Sequence, residues 1–203
     1  ESTRSLVQGL SALPEPQRPR VLVCASAVGY YGSRGDEILD EEAAPGEGFL
    51  ADVCRAWEAE ALAARNLGVR CVVLRIGIVL AREGGALPRM ALPFRLALGG
   101  RLGDGRQWFP WVHIDDATSL IAAALHDEAF SGPLNVVAPE PVRNAELTRL
   151  LARALHRPAV FAVPAFALRA ALGELASELL GSRRCQPRRA LERGFAFAYP
   201  RLE

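Results

Sequence analysis

Two apolar runs flanking one alanine-rich helix constrain this chain more than any other feature. Residues 21–26 (Val21-Leu22-Val23-Cys24-Ala25-Ser26) are short, partly β-branched and without charge, as expected of a strand buried on both faces. A second apolar run, carrying Arg70 and Arg75, spans residues 69–80 and centres on Cys71-Val72-Val73-Leu74. Between them, residues 49–67 are rich in alanine and end at Gly68, the pattern of a helix stopped by glycine. Strand, crossover helix and strand make a parallel pair. Residues 134–137 read as a further strand, and 108–114 as extended chain. Helices are predicted over 5–13, 87–98, from a cap at Asp115 or Asp116 to His126, over 144–156, and over 164–180. Strands alternating with helices predict an α/β fold with a parallel sheet.

The 203 residues suffice for one sizeable core, or one core with a small appendage. A boundary is expected near Pro139-Glu140-Pro141, dividing the chain into 1–138 and a mainly helical 139–203. The net charge of +1 gives no general attraction to nucleic acid or to anionic membranes. No stretch approaches the ~20 apolar residues of a membrane span. A small-molecule ligand is the expected partner, with self-association as a further expectation. Cys24, Cys54, Cys71 and Cys185 form no CxxC pair, and His113, His126 and His156 are scattered, so no metal site is expected. Reduced thiols in a cytoplasmic protein are the simplest reading of the cysteines. All 24 basic residues are arginine. The chain therefore has no phosphate-loop lysine, no Schiff-base lysine and no lysine to tune a catalytic tyrosine.

The chemistry-bearing residues gather after the first strand. Ser26, Tyr30 and Tyr31 sit where ligands bind in open α/β sheets, at the carboxyl end. Their hydroxyls could polarise a carbonyl or carry a proton; for Ser26 a local hydrogen bond is the alternative. Gly29, Gly32 and Gly35 spell G-x-x-G-x-x-G. The acidic stretch 36–42 comes next, in place of the helix that a phosphate cradle needs. That stretch reads as a solvated loop.

Three further segments succeed one another along the chain. They are Leu74-Arg75-Ile76-Gly77-Ile78-Val79-Leu80, then Gly84-Gly85-Ala86-Leu87-Pro88-Arg89-Met90 with Pro93-Phe94-Arg95-Leu96, and finally Gly103-Asp104-Gly105-Arg106-Gln107-Trp108-Phe109-Pro110-Trp111-Val112-His113-Ile114-Asp115-Asp116. With Gly194-Phe195-Ala196-Phe197 near the end, this order resembles extended short-chain dehydrogenases/reductases, and within them the "epimerase family" branch that ends in a small domain of unknown function. The resemblance covers essentially the whole chain.

It implies the carboxyl-terminal part of a Rossmann-like doubly wound sheet plus a small helical substrate domain, with the amino-terminal cofactor-binding half absent. It implies NADP as cofactor, bound weakly or not at all by this truncated chain. By the same resemblance Ala25, Arg75, Gly77, Ile78 and Val79 face the cofactor. Ser26, Tyr30 and Tyr31 carry the catalysis, and Pro93, Arg95, Trp108, Trp111 and His113 face a substrate, a nucleotide sugar in related enzymes. Three alternatives stay open. Arg75 is either a phosphate anchor or half of a buried ion pair; the tryptophans are either pocket walls or core; His113 is either a substrate contact or a structural hydrogen-bonding residue. The superfamily's Tyr-x-x-x-Lys pair would fall on Leu50 and Cys54. The implied activity is an NADP-linked oxidoreductase or epimerase, or else dinucleotide binding without turnover.

Overall fold

The computed structural model describes residues 2–173 and 175–202. In chain order it runs from α1 (Ser2–Ala12) to β1 (Val21–Ala27) and a short β2 (Ile38–Leu39), then α2 (Phe49–Leu62), β3 (Arg70–Ile76), β4 (Ile78–Leu80) and α3 (Ala86–Arg95). Next come β5 (Gly100–Leu102), β6 (Trp108–Phe109), β7 (Trp111–His113), α4 (Ile114–His126), β8 (Gly132–Val136) and β9 (Val142–Arg143). The remainder is α5 (Asn144–Ala154), β10 (Phe161–Val163), α6 (Ala165–Leu172), α7 (Leu175–Leu180), β11 (Arg184–Cys185) and α8 (Arg188–Glu192).

The central sheet is parallel, in the order β1-β3-β8. Its residues alternate between two cores, as the pleat requires. Leu22, Cys24, Cys71 and Val73 pack with Ala61 and Leu62 of α2. Val21, Val23, Val72, Leu74, Leu134 and Val136 pack with Ala117, Leu120 and Ala124 of α4. Helices on both faces of a parallel sheet make the doubly wound layering expected from the sequence. Among the described residues β1 pairs only with β3, so its outer edge is open.

Four expectations are corrected by the local structure. The α2 helix stops at Leu62 and continues as a 3₁₀ turn over Ala63–Leu67, ended by Gly68 at φ +77°. The run over 69–80 is two strands broken at Gly77. A Cβ on Gly77 would lie 2.5 Å from the Pro110 carbonyl oxygen, so only glycine lets the chain pass there. Gly173 divides the helix expected over 164–180 into α6 and α7. The acidic stretch is not a simple solvated loop: it forms β2 against β11, and Leu39 and Glu41 are buried.

The last third of the chain splits between two places. The α5 helix, β9 and β10 pack with β5 and β6. From residue 184 onward the chain returns to the central sheet. There β11 pairs with β2, Ala190 of α8 enters the core, and Phe195 and Phe197 pack against that core on its α4 side. Buried Asp116 of α4 holds this return, accepting the Ala198 and Tyr199 amides at 2.8 and 2.9 Å.

Candidate functional site

Parallel register brings three polar residues into one row across the sheet. Ser26 on β1 is opposite Arg75 on β3, which is opposite Asn135 on β8. All three are buried. A buried sheet end carrying a serine, an arginine and an asparagine cannot be stable unless each polar group is matched.

The matching group is Glu58 of α2. Its Oε1 accepts from Ser26 Oγ at 2.8 Å and from Arg75 Nε at 3.0 Å. Its Oε2 accepts from Arg75 Nη2 at 2.8 Å. This is a bidentate ion pair with side chains 3% and 5% exposed. Arg75 Nη1 donates to Tyr31 Oη at 3.0 Å and to the Glu41 carbonyl at 3.3 Å. The guanidinium also lies over the Tyr30 ring, 3.5 Å from its centroid. Burial works against the charged arginine, but the hydrogen bonds and charge interactions with Glu58 and Tyr31 together outweigh it and hold the pKa above its ordinary value.

Tyr31 sits wholly inside. Its hydroxyl donates to Asn135 Oδ1 at 2.7 Å and lies 2.9 Å from the Asp40 carbonyl. Burial pushes its pKa far above the usual phenol value despite the nearby Arg75. Asn135 completes the cluster. Its backbone N–H donates to Glu41 Oε1 at 2.9 Å, and its side-chain amide donates to the Leu39 and Gln186 carbonyls at 3.2 and 2.8 Å. Glu41 Oε2 accepts the Arg189 amide at 3.3 Å. Burial raises the Glu41 pKa, outweighing these donors.

The expected site residues therefore divide. Ser26, Tyr30, Tyr31 and Arg75 come together, but the hydroxyls of Ser26 and Tyr31 are turned into the network. Arg75 is half of a buried ion pair with no donor turned to an open phosphate position. Ala25 is exposed, on the α4 side of β1, opposite in parity to Ser26. Gly77 donates to the Val136 carbonyl, and Ile78 to that of Pro110. Ile78 packs beside Trp111, while Val79 packs on the α4-side core.

The expected substrate residues do not converge on one cavity. Trp111 is core, 2% exposed, beside Leu80, Ala138 and Leu147, with its indole N–H on the Glu140 carbonyl at 3.1 Å. The Arg143 and Arg184 guanidinium groups lie over the Trp108 ring, whose indole N–H donates to Asp36 Oδ1 at 2.7 Å. Pro93 and Arg95 are exposed on α3. His113, not Asp115 or Asp116, caps α4: its Nδ1 accepts the Asp115 amide at 3.2 Å, and its ring stacks on Tyr199 at 3.7 Å.

Leu50 and Cys54, where a Tyr–Lys pair would fall, supply neither phenol nor ammonium. Cys54 is fully buried, and burial raises its thiol pKa. Among the described residues no group of three or more His, Cys, Asp or Glu side chains could hold a metal. Among the described residues no helix is long and apolar enough to cross a membrane. Sequence reasoning missed Glu58, Glu41 and Asn135. For Asn135 the signal was present, because an amide inside the apolar run 134–137 must find buried partners. Nothing local marked Glu58 as the partner of Ser26 and Arg75.

Comparison with known proteins agrees with this fold. The pattern described as "NAD dependent epimerase/dehydratase family" matches residues 3–137, and "Domain of unknown function (DUF1731)" matches 163–203. "Epimerase family protein SDR39U1 homolog, chloroplastic" of Arabidopsis thaliana is 45% identical over 197 residues, 97% of this chain and 56% of that protein. "Epimerase family protein YfhF" of Bacillus subtilis is 40% identical over 190 residues, 93% of this chain and 62% of that protein. The chain thus spans about three fifths of these relatives' length. Human epimerase family protein SDR39U1 (isoform 2), solved with NADPH, superposes with a TM-score of 0.87 at 35% identity, over 98% of this chain and 68% of that one. The nucleoside-diphosphate sugar epimerase of Corynebacterium glutamicum gives 0.80 at 36% identity, over 98% of this chain and 38% of that one. The chain belongs to the NAD dependent epimerase/dehydratase family, with a carboxyl-terminal DUF1731 segment.

Proposed function

We propose that the protein is an NADP(H)-binding member of this family in which the sheet-end hydroxyls frame the dinucleotide site instead of moving protons. The observation that carries this reading is the engagement of both candidate hydroxyls. Ser26 is held by Glu58, and Tyr31 by Arg75 and Asn135. The preference for NADP rests on the human relative solved with NADPH.

The residues present fit one part of such a cofactor. Exposed Ala25 offers a small side chain where a flat ring can approach, whereas the Pro110 carbonyl and a Val137 methyl already fill the space beside Gly77. The residues present do not fit the pyrophosphate. The Gly29–Gly32–Gly35 spacing leads into β2 and not into a helix, and Arg75 is consumed by Glu58. The chain alone is therefore expected to bind NADPH in the millimolar range. Saturation-transfer NMR checks this: transfer to nicotinamide protons should exceed transfer to adenine protons. Equal transfer to both ends, or micromolar affinity in calorimetry, contradicts the reading.

A second reading keeps turnover: an NADP-dependent oxidoreductase or epimerase acting on a carbonyl or alcohol of a small molecule, such as a nucleotide sugar. Tyr30 favours it. This phenol is only half-buried, and its hydroxyl has no hydrogen-bond partner among the described residues. In that reading Tyr30 is the proton-bearing group, and Tyr30→Phe should abolish turnover while Ser26→Ala leaves it intact. Association of copies through the open edge of β1 belongs to the same proposal; a strictly monomeric mass in light scattering at high concentration contradicts it.

A further inference from the structure

A groove of about 880 Å³ runs along the outer face of α5, remote in contacts from the Ser26–Arg75–Asn135 cluster. Its floor is made of small residues, Ala145, Thr148 and Ala152 of α5 with Ala159 and Ala162 of the chain leading through β10. Its rim carries Arg101, Arg149, Arg153, His156 and Arg157, and no carboxylate lines it.

The fold brings these cations together by two devices. The first is helix periodicity. Leu147 and Leu151 turn inward to the core beside Trp111, which leaves Arg149 and Arg153 outward, one turn or about 6 Å apart. The second is the turn after α5. His156 adopts φ +52°, its N–H donates to the Arg153 carbonyl at 3.1 Å, and the Arg157 N–H donates to that of Ala152 at 2.9 Å. This is a Schellman closure with histidine where glycine is usual, and it folds Arg157 back along the groove. Arg101 arrives from β5, in register with Ala162 of β10.

Cations near a helix carboxyl terminus complement its dipole, which accounts for Arg153, His156 and Arg157 taken alone. It does not account for Arg101, which flanks Ala145 at the opposite end of α5. Nor does it account for two further facts. Arg101, Arg153 and Arg157 have no side-chain hydrogen bond or ion pair among the described residues; only Arg149 has a partner, Glu146 at 3.7 Å. Thr148 is 7% exposed, yet its hydroxyl has no partner among the described residues. In α4 the comparable Thr118 hydroxyl lies 3.0 Å from the Ile114 and Asp115 carbonyls. A hydroxyl that has no protein partner and opens onto a carboxylate-free cationic groove offers an anion a donor there.

We propose that this groove binds a small polyanion with linked phosphate groups, Arg101, Arg153 and Arg157 meeting its oxygens and Thr148 donating from the floor. Arginine's planar fork suits phosphate oxygens, and a row of them suits a phosphate chain. The concave floor and the sunken hydroxyl favour a small ligand over a flat membrane. Free polyphosphate and the polyphosphate arm of a nucleotide share this chemistry.

Calorimetry of the 203-residue chain at low salt, with tripolyphosphate and with magnesium-free ATP, tests the assignment. Saturable 1:1 binding is expected, weakened at least about tenfold by the R153A/R157A double variant and several-fold by Thr148→Val. Arg55→Ala, an exposed charge removed elsewhere, should leave it unchanged. Tighter binding of ATP than of tripolyphosphate identifies a nucleotide source, and the reverse identifies a free phosphate chain. Circular dichroism checks the fold of each variant, and Arg101→Ala, from another element, supplies an independent loss. Three results overturn the proposal: no saturable binding, binding indifferent to R153A/R157A, or equal binding of sulfate at matched ionic strength. Binding to phosphatidylglycerol vesicles that tripolyphosphate does not displace overturns it in favour of a membrane surface. None of these outcomes depends on NADP(H) binding at the sheet.

Discussion

Ser26 and Arg75, register partners on parallel β1 and β3, close on the same carboxylate oxygen of Glu58, at 2.8 and 3.0 Å. That shared oxygen ties α2 to the carboxyl end of the sheet, where ligands of such folds bind. It makes one buried carboxylate responsible for both the serine hydroxyl and the arginine charge.

Glu58→Ala should therefore be among the most damaging substitutions in the chain. It leaves the Arg75 guanidinium buried and without its counter-ion, at a cost of about 3–5 kcal/mol. Ser26→Ala removes one hydrogen bond and should cost only about 1 kcal/mol. Urea unfolding followed by circular dichroism measures both. Equal, small losses would mean that Arg75 does not depend on Glu58.

Gly77→Ala tests the break between β3 and β4. The added methyl would meet the Pro110 carbonyl oxygen at 2.5 Å and a Val137 methyl at 2.9 Å. Backbone cannot retreat as a flexible side chain can, so a loss of about 1–3 kcal/mol is expected. A melting temperature unchanged from that of the parent would show that Pro110 moves freely.

Glu41 sets a pH dependence. Burial raises its folded-state pKa above the ordinary carboxyl value. In acid the group is protonated in both states, and its stabilising contribution is complete. As pH rises, the unfolded chain releases this proton first, so stability is lost up through the raised folded pKa. Glu41→Gln, which cannot titrate, should gain on the parent between mildly acidic and neutral pH. A gap moving in the parent's favour over that interval contradicts a raised pKa.

Sequence legibility followed periodicity. The two apolar runs and the alanine-rich segment produced β1, β3 and α2 because burial on two faces leaves a near-continuous apolar signature. The weave of the last twenty residues left none. The β11–β2 pairing and the return of Phe195 and Phe197 to the α4-side core depend on contacts far apart in sequence. The site was legible in membership but not in direction. Ser26, Tyr31 and Arg75 were identifiable as sheet-end residues, yet strand parity and the distant Glu58 decide that they point inward. Trp111 read equally well as wall or core, and Leu80, Ala138 and Leu147 make it core.

The hydroxyls at the sheet end are proposed to hold the fold and not to move protons. Tyr31 offers the sharpest test, because its phenol is fully buried between Arg75 and Asn135. The measurement is an ultraviolet titration of tyrosinate absorbance in the native protein, compared with Tyr31→Phe. Coincident curves are expected until alkaline unfolding, with the variant less stable by about 1–3 kcal/mol. A tyrosinate that appears near neutral pH in the parent and disappears in Tyr31→Phe would contradict a purely structural role.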